Sequence, residues 1–324
     1  MRPIRTEPEA LLEALIADRE GPSVVAVGGG HGLAQALQAM CRYAGKIDAI
    51  VSVADDGGSS GRLSPALDIP PPGDIRKCLI ALTPDESIWK RLFEYRFEGA
   101  DVDGHSLGNL IIASLSDIEL DFERALLAAE RLLGTVGKVI PAAPVHLRLE
   151  AIVDGERIEG QAAITKRRGS ITQIRVQPSD VEASRSALEA IAGADHIVLG
   201  PGSLFTSVMA CMVVPGITEA INQSAAKLIY VSNLITQDGE TLGMDGADHL
   251  DALLQITGVR PPSTMVANRA PVTVALPVEP VVVDPEVLET YGVDVVLADL
   301  VDPHAEWPAH DPARLGGVLG RLIE

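Results

Sequence analysis

Short apolar runs alternate along most of the chain with segments of helical spacing. Val24–Val27 is followed by Gly28-Gly29-Gly30-His31-Gly32, and then by Leu33, Leu37 and Met40 at three- and four-residue intervals. Strand, glycine turn and helix in that order open a nucleotide-type βαβ unit. Ile47–Val53 reads as the second strand and ends at Asp55 and Asp56. Pro70-Pro71-Pro72-Gly73 breaks the chain, and Asp74 is placed to cap a helix running toward Leu82. Helical spacing returns at Ile88–Tyr95, at Leu107–Leu115 behind a capping Ser106, and at Asp121–Leu133.

From Val139 to Gln177 the rhythm changes. Leu147–Val153, the turn Asp154-Gly155, Arg157–Thr165 and Ile171–Val176 read as short antiparallel strands. This β-rich stretch, about 139–178, is expected to be an insertion within one domain covering 1–324, with 1–22 as an N-terminal extension. Alternation then resumes with helix Val181–Ala192, strand His196–Leu199, the loop Gly200-Pro201-Gly202-Ser203 and a helix from Leu204. Lys227–Val231, Thr264–Ala267 and Val293–Leu297 are further strands, and Ala313–Leu322 closes the chain as a helix. Repeated β-then-α with apolar strands predicts an α/β fold: a mostly parallel sheet covered by helices on both faces, with a small antiparallel insertion.

Composition narrows the function classes. The chain has 324 residues and only 3% aromatics, so its core must be mainly Ala, Val, Leu and Ile. A formal charge of −19 repels DNA, RNA and anionic lipid, so neither nucleic acid nor membrane is an expected partner. Cys41, Cys78 and Cys211 lie far apart, which excludes a zinc ribbon and argues against a disulfide scaffold. Cys41 and Cys211 sit in apolar stretches and read as buried small hydrophobes. The acidic start MRPIRTEPEALLEALIADREG has no secretory h-region, and no apolar run reaches membrane-spanning length, so a soluble cytoplasmic protein is expected.

The candidate chemistry clusters at predicted strand ends. In VSVADDGGSSGRL, a strand stops at two carboxylates followed by Gly57, Gly58, Ser59, Ser60 and Arg62. Glycines bring backbone N–H groups close to a ligand, the serines add hydroxyl donors, and an arginine fork suits phosphate. Gly29, Gly30, His31 and Gly32 offer a second anion-binding turn at a helix start. Leu33 stands where the dinucleotide fingerprint needs its last glycine, and no Walker lysine follows. The loop Gly202, Ser203, Leu204 and Thr206 repeats the design; without a G-x-S-x-G elbow, Ser203 reads as a phosphate contact or helix cap. Arg76, one turn after Asp74, could pair with Asp55 or Asp56 or meet a phosphate. His105 and Asn109 stand at another helix start, His105 as an acid–base candidate or a donor to ligand. Asn233 and Asn268 at strand ends suit base or sugar contacts, while His196 and His249 read as structural. Asp55 and Asp56 could hold Mg²⁺ through a diphosphate.

Taken in order, GGGHGL, SVADDGGSSGRL, PPGDIRKCLIAL, FEYRF, GHSLGNL, VLGPGSLFTSV, VSNLITQDGET and HDPARL resemble the gluconeogenesis factor (YvcK) family, a branch of the proteins similar to 2-phospho-L-lactate transferase (CofD). The resemblance runs from about Val24 to the C-terminus. It implies a Rossmann-like fold and a cytoplasmic protein that binds a UDP-sugar, UDP-N-acetylglucosamine being the best candidate. It further implies a role in cell morphology and peptidoglycan homeostasis during gluconeogenic growth, with a homodimer and a cell-wall regulatory partner in view. Two departures stand out: Ala309 precedes His310-Asp311 where the family often has Arg, and RAPVTVALPVEPVVVD lacks a Tyr-rich stretch common in members.

A nucleotide-sugar-binding regulatory protein accounts for several phosphate-friendly loops without an evident catalytic constellation. The competing reading is a Mg-dependent transferase of the phospholactate type, in which Asp55 and Asp56 hold the metal and His105 serves the chemistry. A NAD(P)-dependent enzyme is disfavoured by Leu33 and by the missing ribose-binding acid.

Overall fold

In a computed structural model that describes residues 20–322, every strand of the main sheet is parallel to its neighbours. Strands β1 (Ser23–Gly28), β2 (Lys46–Val51) and β3 (Lys138–Pro141) run outward from the centre to one edge. The chain then adds the antiparallel strands β4 (Arg148–Val153), β5 (Glu156–Glu159) and β6 (Ile171–Gln177), which form a separate sheet in the order β5-β4-β6. It re-enters the main sheet on the other side of β1 with β7 (His196–Leu199), β8 (Lys227–Val231), β9 (Thr264–Asn268) and β10 (Asp294–Ala298). The sheet order is therefore β10-β9-β8-β7-β1-β2-β3, and its direction of growth reverses between β1 and β7.

Both faces of this sheet are buried, which is why its inner strands read as continuous apolar runs. Val24 and Ala26 enter one core with the helices Gly30–Met40, Pro72–Ala81, Phe122–Leu133 and Pro312–Arg321. Val25 and Val27 enter the other, with the helices Arg185–Ala192, Leu204–Met212, Ile217–Gln223 and Gly246–Thr257. The small sheet joins that second core through Leu149, Ala151, Val153, Ile174 and Val176. Cys78 and Cys211 are buried, as an apolar setting suggests, while Cys41 is only partly so. Among the described residues no single helix is long and apolar enough to cross a membrane.

Several elements differ from the sequence-based expectation. Val139 belongs to β3, an edge strand of the main sheet, so the antiparallel part begins only at Arg148. The second half of Arg157–Thr165 is helix Gln161–Arg167, because Gly160 turns the chain at φ +93 and Asp56 Oδ1 accepts the Ala162 N–H at 2.8 Å. Gly58–Leu67 is also a helix, although its glycines, serines and Pro65 read as loop. The next helix starts at Pro72, where a fixed φ suits the first helical position; Asp74 stands in the first turn and is not the cap. Ser106 does cap, accepting the Asn109 N–H at 3.3 Å. The N-terminal extension lies almost wholly outside the described residues.

The β3 edge carries a titrating group. Glu130 Oε1 accepts the Val139 N–H at 2.7 Å, and burial pushes the Glu130 carboxyl up from its ordinary 4.5 to about 7. A carboxyl raised on folding favours the folded state in its protonated form. That contribution is complete below pH 4.5 and is lost as pH rises to about 7. Glu130→Gln keeps an acceptor without the charge, so it should flatten this pH dependence and stabilise the protein at pH 8 by up to about 3 kcal/mol. Urea unfolding at pH 5 and pH 8 measures it. Parallel pH profiles for both proteins would remove Glu130 as the cause.

Candidate functional site

The reversal of strand order opens a crevice where the loops after β1 and β7 diverge around a shared sheet edge, the usual ligand position on an open α/β sheet. The two loops touch. A Cβ placed on Gly32 would lie 2.6 Å from the Pro201 carbonyl oxygen, and one on Gly202 would lie 3.2 Å from that of Gly29. Asn233, just past β8, clamps the second loop: its Oδ1 accepts the Gly202 N–H at 3.0 Å and its Nδ2 donates to the Gly202 carbonyl at 2.8 Å.

Around these loops lies a cleft of about 1030 Å³. Gly29, Gly30, His31 and Gly32 line it with Pro201, Gly202 and Ser203, and Asp55, Asp74 and Lys77 line it from the neighbouring elements. Its remaining wall is built by 233–238, by 275–278 and by 307–310. A smaller hollow of about 590 Å³ lies between Asp55, Asp56, Gly57 and the helix Gln161–Arg167. Asp55, Gln161 and Asp238 line both, so the two spaces adjoin.

The charges in the cleft are tied to one another. Lys77 Nζ donates to Asp74 Oδ1 at 2.9 Å. Burial raises the Asp55 carboxyl above its ordinary range, and the negative charge of Asp74 raises it further against the Gly57 N–H and the Ser60 hydroxyl. Partial burial and Lys77 hold His31 below its usual value, keeping the ring neutral beside the glycine turn. Ser203 Oγ donates to Gln237 Oε1 at 2.7 Å. At the far end of the wall His310 is buried, its titration lowered to about 4, and its Nε2 has no hydrogen-bond partner.

Other residues of the predicted site do not line the cleft. Arg76 is buried and donates from Nε to Asn109 Oδ1 at 3.0 Å and from Nη1 to the Phe93 carbonyl at 3.1 Å. Asn109 Nδ2 then donates to Ser59 Oγ at 3.0 Å, and Ser59 Oγ meets His105 Nδ1 at 2.9 Å. A guanidinium cannot accept, so Asn109 turns its oxygen to Arg76 and its amide to Ser59, while the direction of the Ser59–His105 bond follows the His105 tautomer. Burial and then Arg62 hold His105 below its ordinary value. The four residues form a brace that ties the helices Gly58–Leu67, Pro72–Ala81 and Leu107–Glu119 together. Ser60 accepts the Gly73 N–H at 3.0 Å, and Arg62 points outward to the Asp103 carbonyl at 2.7 Å. Gly58 opens the helix that carries them.

Leu204 and Thr206 are likewise inside the protein. The N–H groups of Phe205 and Thr206 are taken by Glu240 Oε2 at 3.2 and 3.3 Å, and the Thr206 hydroxyl donates to Oε1 at 2.5 Å. The positive end of the helix Leu204–Met212 is thus filled by a carboxylate of the protein. Asn268 accepts the Leu300 N–H at 2.8 Å and donates to the Ala270 carbonyl at 2.5 Å, closing a turn. Asp56 braces the insertion helix through Ala162.

Lys77, Gln161, Gln237, Asp238, Trp307 and His310 line the cleft without having been singled out as site residues. Gln237 and Asp238 follow β8, whose end was legible, so a search for polar residues following each strand would have found them. Among the described residues no group of three or more His, Cys, Asp and Glu side chains could hold a metal ion. A magnesium ion carried on a diphosphate would meet the carboxylates that line the cleft, Asp55, Asp74 and Asp238.

Known proteins share this chain's sequence and architecture. The family model described as 2-phospho-L-lactate transferase CofD matches residues 24–301. A gluconeogenesis factor from Halalkalibacterium halodurans is 42% identical over 283 residues, 85% of this chain and 88% of the relative. A gluconeogenesis factor from Bacillus subtilis is 37% identical over 312 residues, 94% of this chain and 98% of the relative. A crystal structure of a Bacillus halodurans protein superposes with a TM-score of 0.89 at 38% identity, covering 93% of this chain and 99% of that one.

Proposed function

The chain belongs to the CofD family, with gluconeogenesis factors among its relatives, and from that premise we propose that it is a nucleotide-sugar-binding regulatory protein. The ligand on this reading is a UDP-sugar, UDP-N-acetylglucosamine first. The observation that carries the reading is the meeting of two glycine loops at the strand-order reversal, on a cleft large enough for such a ligand. The diphosphate lies against the backbone of Gly29–Gly32 and Gly202–Ser203, and Asp55, Gln237 and Asp238 meet hydroxyl groups. The protein acts in the cytoplasm, reporting nucleotide-sugar supply to a cell-wall regulatory partner and so sustaining cell shape and peptidoglycan homeostasis on gluconeogenic carbon.

The name of the matching family model favours a second reading, a Mg-dependent transferase of the phospholactate type. Asp55 separates the two, since Asp56 is engaged by the insertion helix. For a metal-free binding protein, Asp55→Asn keeps an oxygen that can accept from a sugar hydroxyl and removes only the charge, so affinity for UDP-N-acetylglucosamine should stay within a few-fold of wild type. Calorimetry with and without Mg²⁺ reads this out. A loss of affinity seen only with Mg²⁺ present would favour the transferase.

A further inference from the structure

Two large apolar side chains stand in water on the wall of this cleft. Trp307 is 59% exposed and Leu276 82% exposed, and both line the same space as the glycine loops. Each sits on backbone that is tied down. The segment bearing Trp307 is closed by a bridge between Val301 and His310 and by the Asp302 N–H donating to the Ala309 carbonyl at 2.8 Å. His310 N–H in turn donates to Gln35 Oε1 at 3.2 Å, fastening this hairpin to the helix that follows the first glycine loop. The segment bearing Leu276 is held by the Ile235–Pro280 bridge and by the Thr236 N–H donating to the Glu279 carbonyl at 2.7 Å. An indole held exposed on a fixed loop beside an anion-binding turn is suited to a flat aromatic partner.

Resting on the nucleotide-sugar reading above, we propose that Trp307 is the stacking platform for the nucleobase, with Leu276 as its apolar neighbour. The assignment gives the ligand a direction: base at the rim with Trp307 and Leu276, diphosphate at the glycine loops, sugar toward Asp55 and Asp238. Stacking on an aromatic ring tolerates any base, so selectivity for uracil must come from polar groups elsewhere on the wall.

The chain contains two tryptophans, Trp89 and Trp307, and Trp89 lies on the helix Ile88–Glu94, outside the cleft. Trp89→Phe therefore leaves Trp307 as the only indole. Titrating that variant with UDP-N-acetylglucosamine, UDP and uridine should quench its emission, whereas N-acetylglucosamine 1-phosphate should not. By calorimetry Trp307→Ala should bind UDP-N-acetylglucosamine about tenfold more weakly or worse, while Trp307→Phe stays within about threefold of wild type. Normal binding heat with unchanged Trp307 emission, and a Trp307→Ala variant of wild-type affinity, would overturn the platform and leave the nucleotide-sugar reading standing. No binding heat from any nucleotide or nucleotide sugar would overturn both.

Discussion

A Glu240→Ala variant is expected to lose about 3 kcal/mol of stability and most of its ligand affinity with it. Glu240 is buried and accepts from the Phe205 N–H, the Thr206 N–H and the Thr206 hydroxyl, while Gln237 Nε2 donates to it at 3.2 Å. First-turn N–H groups have no partner inside their own helix, and here the buried carboxylate supplies it. Each donor left unmade in the interior costs about 1–3 kcal/mol. The effect reaches the ligand because the turn so fixed begins at Ser203. Glu240→Gln keeps the shape but turns one acceptor into a donor facing donors, so its cost should be intermediate. Burial raises the Glu240 carboxyl, so the wild-type contribution is full below its ordinary pKa and declines as pH rises through the raised one. The gap between Glu and Gln should therefore narrow toward alkaline pH. Urea unfolding of the three proteins at pH 5.5 and pH 8 checks both claims; an alanine variant within 1 kcal/mol of wild type would show that the carboxylate does not hold this helix.

The central strands were legible because both their faces are buried. β1, β7 and β8 each read as an unbroken apolar run ending at a glycine or asparagine, and the loops that build the crevice follow directly. Gly58–Leu67 was not legible. Its composition disfavours a helix, and what stabilises one is tertiary: Ser59, Ser60 and Ser64 are buried on partners far along the chain or past the helix end. Arg62 and Arg76 looked alike as phosphate forks, yet direction is set by the helix each stands on, outward for one and into the brace for the other. The adjacent acids also part company, since Asp55 lines both hollows and Asp56 only the smaller. Trp307 and His310 come from a hairpin about 275 residues past Gln35, and only the closed fold brings them to the glycine loops.

The closeness of the two glycine loops gives the sharpest test of the crevice. In Gly32→Ala the new methyl carbon would sit 2.6 Å from the Pro201 carbonyl oxygen and 2.9 Å from the Gly202 nitrogen. Both are backbone atoms, so no flexible side chain can swing away and the loops must part. Overpacking of this kind costs about 1–3 kcal/mol. On the proposed reading the ligand bridges these two loops, so most of that cost should appear in the bound state, as roughly a 5- to 150-fold loss of affinity for UDP-N-acetylglucosamine. Gly30→Ala is the matched control. Nothing lies within 4 Å of a Cβ there, but the residue sits at φ +70, where an L side chain costs about 1–2 kcal/mol of stability. Gly30→Ala should thus lose stability without parting the loops, while Gly32→Ala should lose affinity well beyond its loss of stability. Calorimetry paired with thermal unfolding separates the two. Wild-type affinity in Gly32→Ala would mean that the ligand does not bridge the loops after β1 and β7, and the site would have to be sought in the smaller hollow beside Asp56.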